Sequence, residues 1–216
     1  MTHETLLLCA TAVSLGVIHT ALGPDHYLPF VAMSRAGGWS VRKTLGVTAA
    51  CGLGHVAGSV AIGAVGLLLG LAVMRLEQLE TFRGDLAAWL LIAFGVAYLS
   101  WGVMRGMQGR PHAHPHAAAQ PAAAVWAPWL AFLVFVFGPC EPLIPLLMVP
   151  ASQASLTAVA AVATAFALAT VLTMLVAVMA LRHGLSWVQL PGLGRFGHAL
   201  AGLAILMCGV LVKVGL

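Results

Sequence analysis

The chain has 216 residues, 61% of them hydrophobic and only 7% charged, with a mean hydropathy of +1.01. An ordinary soluble domain carries roughly 25% charged residues, and a surface this apolar excludes a water-soluble fold. The net charge of +4 is spread over ten Lys and Arg without a basic face, which excludes nucleic acid as a partner and leaves the lipid bilayer as the surroundings.

A helix needs about 20 mostly apolar residues to cross a bilayer. Six segments meet that length: Thr5–Leu22, Thr44–Met74, Leu86–Met104, Trp126–Val149, Thr157–Leu181 and Phe196–Val214. The expected fold is therefore all-α, a polytopic membrane protein. The first segment is kept as a span. Met1 to Thr5 has no Lys or Arg, so it lacks the positive start of a cleaved signal peptide. Trp39, Trp101, Trp126, Trp129 and Trp187 fall near the proposed ends, where an interfacial belt would put them.

Counting Lys and Arg by side gives seven (Arg35, Arg42, Lys43, Arg105, Arg110, Arg182, Arg195) against three (Arg75, Arg83, Lys213). The richer side is assigned to the cytoplasm, with both termini outside, in an inner (plasma) membrane.

The sequence repeats. Gly23-Pro24-Asp25-His26-Tyr27-Leu28 has a partner in Gly138-Pro139-Cys140-Glu141-Pro142-Leu143. Each motif falls in the first span of a three-span unit, residues 1–104 and 126–216, joined by a linker at 105–125. An odd number of spans per unit inserts the two in opposite orientations. Many transporters follow that plan, with sites at broken helices near the midplane. The plainer alternative for each Gly-Pro is a simple helix kink.

Among the six acids, Glu4, Glu77, Glu80 and Asp85 read as residues of ends and loops, while Asp25 and Glu141 sit in apolar segments. A carboxylate inside a membrane must be paired, protonated or bound to a cation. His19, His26 and His55 lie in the first two spans. In a straight helix His19 and His26 would be ~10.5 Å apart along the axis. Pro24 breaks the hydrogen-bond ladder between them, which can turn His26 back and free carbonyls around Thr20 as ligands. Cys51 and His55, four apart, share a helix face, beside the small residues Gly52, Gly54 and Gly58.

His19, Asp25, His26, His55, Cys140 and Glu141 form the candidate metal set, with Cys51 further out. Imidazole, carboxylate and thiolate together suit a divalent transition metal rather than Mg2+ or Ca2+. Asp25-His26 also reads as a proton relay, and each Cys as a small hydrophobe. His112, His114 and His116 in the linker read either as a metal-gathering tract or as a polar spacer.

His19-Thr20-Ala21-Leu22-Gly23-Pro24-Asp25-His26 resembles the His/Asp-His signature of the nickel/cobalt transporter superfamily, which includes nickel/cobalt permeases and the UreH-like and HupE/UreJ-like membrane proteins. Five residues separate His19 from Asp25, as in the HupE/UreJ pattern, although Thr20 stands where that pattern has Pro. Gly52-Leu53-Gly54-His55 is similar to the Leu-Gly-His motif of the next permease span. The resemblance covers the first 60 residues and implies metal roles for His19, Asp25, His26 and His55. It implies transport of Ni2+ or Co2+ as cargo, with Zn2+ or another divalent transition metal as alternatives, no permanently bound cofactor and no enzymatic activity. A second copy of the chain or a metallochaperone are the protein partners compatible with it. Gly138-Pro139-Cys140 also resembles the cysteine motif of CcdA- and DsbD-related thiol electron carriers. Asp25 stands where those carriers have the second cysteine, leaving Cys51 as partner. An accessory protein for metalloenzyme maturation is the third reading.

Overall fold

The computed structural model describes residues 2–68, 73–108, 122–138, 140, 142–153, 155–186 and 194–215. Glu141, His112, His114 and His116 lie outside the described residues. Among those described, every regular element is helical.

Helix α1 spans His3–Leu22, opened by a cap in which the Thr2 hydroxyl accepts from Thr5 N–H. It stops at Gly23, whose extended backbone (φ −87°, ψ 96°) is what a residue before proline adopts. A single 3-10 turn, Pro24–His26, leads into α2, Leu28–Ala36. Helices α3 (Val41–Leu68) and α4 (Val73–Met107) follow. The second half repeats the order as α5 (Ala122–Phe137), α6 (Leu143–Ser152), α7 (Leu156–Ser186) and α8 (Gly197–Val214). Gly138 follows Gly23, Leu143 follows Leu28 and Leu156 follows Val41 by the same 115 residues.

Among the described residues, five helices are long and apolar enough to cross a membrane: α1, α3, α4, α7 and α8. The segment Trp126–Val149, expected as one span, is two helices, α5 and α6, parted at Gly138 to Pro142. The proline and glycine there remove the ladder bonds a continuous helix needs. Helix α4 starts at Val73, well before the expected Leu86. Trp39, expected at the interface, is 7% exposed and belongs to a packed cluster with Phe30, Phe135 and Met174.

Helix α1 lies along α7, and α3 along both α5 and α7. The longest contact joins α4 and α8 through glycines on both sides. A Cβ added at Gly95 would lie 2.5 Å from Leu206 N, and one at Gly102 would lie 2.3 Å from Ala199 N. Gly202 faces Leu99 N at 2.2 Å and Gly209 faces Ile92 N at 2.8 Å in the same sense. The backbones therefore touch directly, as small residues allow between membrane helices. The outer face of α7 is oily: Leu168, Leu172 and Val176 are 58%, 58% and 68% exposed. That is a surface suited to lipid.

Candidate metal centre

Three imidazoles meet where the break after α1 faces α3. The rings of His19 and His55 are nearly parallel (12°) with centroids 6.5 Å apart. His26 stands edge-on to both, 4.8 Å from His19 and 5.1 Å from His55. The 3-10 turn brings this about, since it folds His26 back beside His19 as the break at Pro24 allows. Cys140, in the link between α5 and α6, completes the group. The ligating atoms of His19, His55 and Cys140 all lie within 4.8 Å of one another. Donors bound to one ion at ~2.0 to 2.3 Å can span at most ~4.6 Å, so these three already sit near the limit of a single coordination sphere.

The hydrogen bonds fix which nitrogens are available. His26 Nδ1 lies 3.2 Å from both Gly23 O and Asp25 Oδ1. His55 Nδ1 lies 3.3 Å from Phe135 O. Carbonyl and carboxylate oxygens only accept, so each Nδ1 is the N–H donor, and in the neutral ring each Nε2 carries the lone pair. The Nε2 atoms of His19, His26 and His55 are all buried without a partner among the described residues. Such atoms are costly to bury unless something binds them. An imidazole held at Nδ1 by an oxygen, with Nε2 free, is the arrangement metal-binding histidines use. The donor chemistry therefore fits a divalent transition metal.

The two Gly-Pro pairs acquire a reason. A Cβ at Gly23 would lie 2.6 Å from His26 Nδ1 and 2.8 Å from Asp25 Oδ1; one at Gly138 would lie 2.9 Å from His55 Nδ1. Each glycine leaves room for an imidazole.

Asp25 sits beside His26 as its hydrogen-bond partner, with 22% of its side chain exposed. A cavity of about 20 Å³ between Asp25, His55, Phe135 and Gly138 has room for a water molecule. Cys51 is fully buried in the cluster with Phe30, Phe135 and Met174, whereas Cys140 packs with Ala12, Val56 and Leu143. The carbonyls near the break are already used: those of His19, Ala21 and Gly23 accept from Gly23 N, Tyr27 Oη and His26 N.

Glu80 and Arg83 were expected in a loop. Both are buried, at 0% and 8% exposure. They form an ion pair inside α4, and Glu80 Oε2 accepts from the backbone N–H of Cys140 at 3.0 Å. Arg83 Nη2 donates to Val136 O at 2.7 Å and Gly138 O at 3.2 Å, the carbonyls left free where α5 ends. The pair thus holds the link that carries Cys140. Its signal was present in the sequence: Leu76, Glu80, Arg83 and Ala87, spaced four, three and four, form one buried stripe.

Compared with protein-family models, with curated proteins and with solved structures, the chain matches none.

Proposed function

We propose that this protein is a secondary transporter of a divalent transition metal, Ni2+ or Co2+ in the first place, across the inner membrane. The observation that carries the reading is the grouping of His19, His55 and Cys140, whose ligand atoms lie within 4.8 Å of one another, with the ring of His26 edge-on to both imidazoles and outside that group. His19, His26, His55 and Cys140 are the proposed ligands. Asp25 orients His26 and lends it negative charge. Glu141 and the linker histidines keep the roles proposed from the sequence.

The two halves are proposed as inverted repeats of three crossings, with α5 and α6 together making the sixth. The common 115-residue offset supports this. So does the exchange of partners, since α1 packs on α7 and α5 packs on α3. With Arg83 and Arg182 drawn into the protein, the remaining Lys and Arg still favour a cytoplasmic position for the Arg35, Arg42 and Arg105 side, six against two. Two positive charges moving inward gain ~4.6 kcal/mol per 100 mV, and that potential is the proposed drive for uptake.

The test is flux of radioactive Ni2+ and Co2+ into proteoliposomes, for wild type and His26→Ala. Flux in the wild type that the variant loses is the expected result. No flux of either ion from inserted wild-type protein overturns the proposal.

A further inference from the structure

Serine and threonine inside helices commonly return their hydroxyl to the carbonyl one turn back. Thr11, Ser14, Thr44, Thr81 and Thr164 do so. Thr48 does not. It is 0% exposed and its Oγ1 has no partner among the described residues. A buried hydroxyl that forgoes an available bond is stable only beside water or another polar group.

Thr48 belongs to a row. Along α3, Thr44, Thr48, Cys51, His55 and Ser59 follow at spacings of four, three, four and four, so they share one face. All five are buried. Helix rise puts Thr44 and Ser59 about 22 Å apart, most of a ~30 Å hydrocarbon core. A face that served only to pack α3 against its neighbours would be aliphatic, yet each of these side chains carries an oxygen, sulfur or nitrogen. The metal-centre histidine stands within the row.

An arginine closes each end. Arg83 Nη1 donates to Ser59 Oγ at 3.1 Å and pairs with Glu80. Arg182 Nη1 donates to Thr44 Oγ1 at 2.9 Å, and its Nη2 to Trp39 O at 2.6 Å. The partners of Arg182 are neutral, and among the described residues no carboxylate pairs with it. Its seat is therefore the one that empties at lower cost. A guanidinium standing in a narrow route also repels a dication.

We propose that this face of α3 is the route by which water and the cation reach the metal centre. Thr48 is the oxygen contact between the centre and the Arg182 end, and Arg182 is the plug that withdraws. The inference rests on the transport reading for its cargo, but the hydration of the route can be measured without metal.

The experiment introduces Thr48→Cys into a Cys51→Ala background and applies a membrane-impermeant methanethiosulfonate from the Trp39 side. Cys51→Ala alone is the reference for the remaining cysteines. The expected result is modification at position 48, accelerated about tenfold by Arg182→Ala, the effect of losing contacts worth one decade in rate. In flux assays, Thr48→Val slows transport about tenfold while equilibrium Ni2+ binding holds, and Thr48→Ser restores transport. Absence of modification from either side, in protein that is inserted and monodisperse, overturns the route. Modification at position 48 in a protein that carries no metal upholds the route and overturns the metal cargo.

Discussion

His55 Nδ1 donates to the backbone carbonyl of Phe135 across 3.3 Å. One helix carries the imidazole and another sets its tautomer. Helix α5 contributes no histidine to the site, yet its last turn decides which nitrogen of His55 is free to bind. Any movement of α5 relative to α3 changes the ligand as well as the space around it, which couples the broken helix of the second half to a donor in the first.

Replacing Asp25 separates charge from hydrogen bonding. Asp25→Ala removes the carboxylate acceptor on His26 Nδ1 and leaves the Gly23 carbonyl, and loss of such a partner typically weakens metal affinity about 10- to 100-fold. Asp25→Asn keeps an oxygen acceptor and falls between Ala and wild type. Equilibrium Ni2+ titration of the detergent-solubilised protein orders the three. Equal affinities would remove Asp25 from the site.

Protons compete with the metal. Each imidazole must be neutral at Nε2 to donate its lone pair, so binding releases protons and weakens as pH falls. Ni2+ affinity should decline once the pH is low enough to protonate the imidazoles. A flat profile would mean that the imidazoles are not the ligands.

Glu80 and Arg83 are expected to fail singly and to tolerate joint replacement. Glu80→Gln leaves a buried guanidinium without its counter-charge, and removal of one partner of a buried pair costs about 3–5 kcal/mol. Replacing both, Glu80→Gln with Arg83→Met, should recover part of that loss. Denaturant unfolding in detergent measures the cycle. A double-variant cost equal to the sum of the Glu80→Gln and Arg83→Met costs would show that the pair is uncoupled.

The cysteines separate transport from thiol chemistry. Cys140→Ser should lower Ni2+ affinity, because a hydroxyl is a poorer ligand than thiolate for a borderline metal. Cys51→Ser should leave it intact. Thiol trapping under oxidising conditions should find no Cys51–Cys140 disulfide. Finding one, reversible by dithiol reductant, would favour the electron-carrier reading.

Gly102→Val and Gly202→Val should each destabilise the protein by about 1–3 kcal/mol or more, since the added atoms meet backbone that no rotamer change can clear. Thermal unfolding in detergent reads the effect. A valine at Gly184, which has nothing within 4 Å of the added Cβ, is the control.

Much of the fold could be read from the chain because proline and glycine act locally. Pro24 and Pro139 mark the breaks, and the apolar runs mark the long helices. The clustering of His19, His26 and His55 was legible for the same reason, since only the break at Pro24 lets His26 approach His19. The buried pair was not. Residues 75 to 85 hold Arg75, Glu77, Glu80, Arg83 and Asp85, and such a density of charge looks like solvent. Only a helix turns Glu80 and Arg83 inward while Arg75, Glu77 and Asp85 stay exposed. Helix α4 begins there because this stripe has α5 and the Cys140 link to hold.

The α4–α8 seam has a mechanical consequence. A joint made of side chains can slide by exchanging rotamers. A joint made of glycine Cα atoms has none to exchange, and a slip of one position would drive a leucine into facing backbone. These two helices therefore behave as a stator, the stationary member against which others turn. In the proposed transport cycle the moving helices are then α1, α3 and α7, which carry His19, His55 and Arg182.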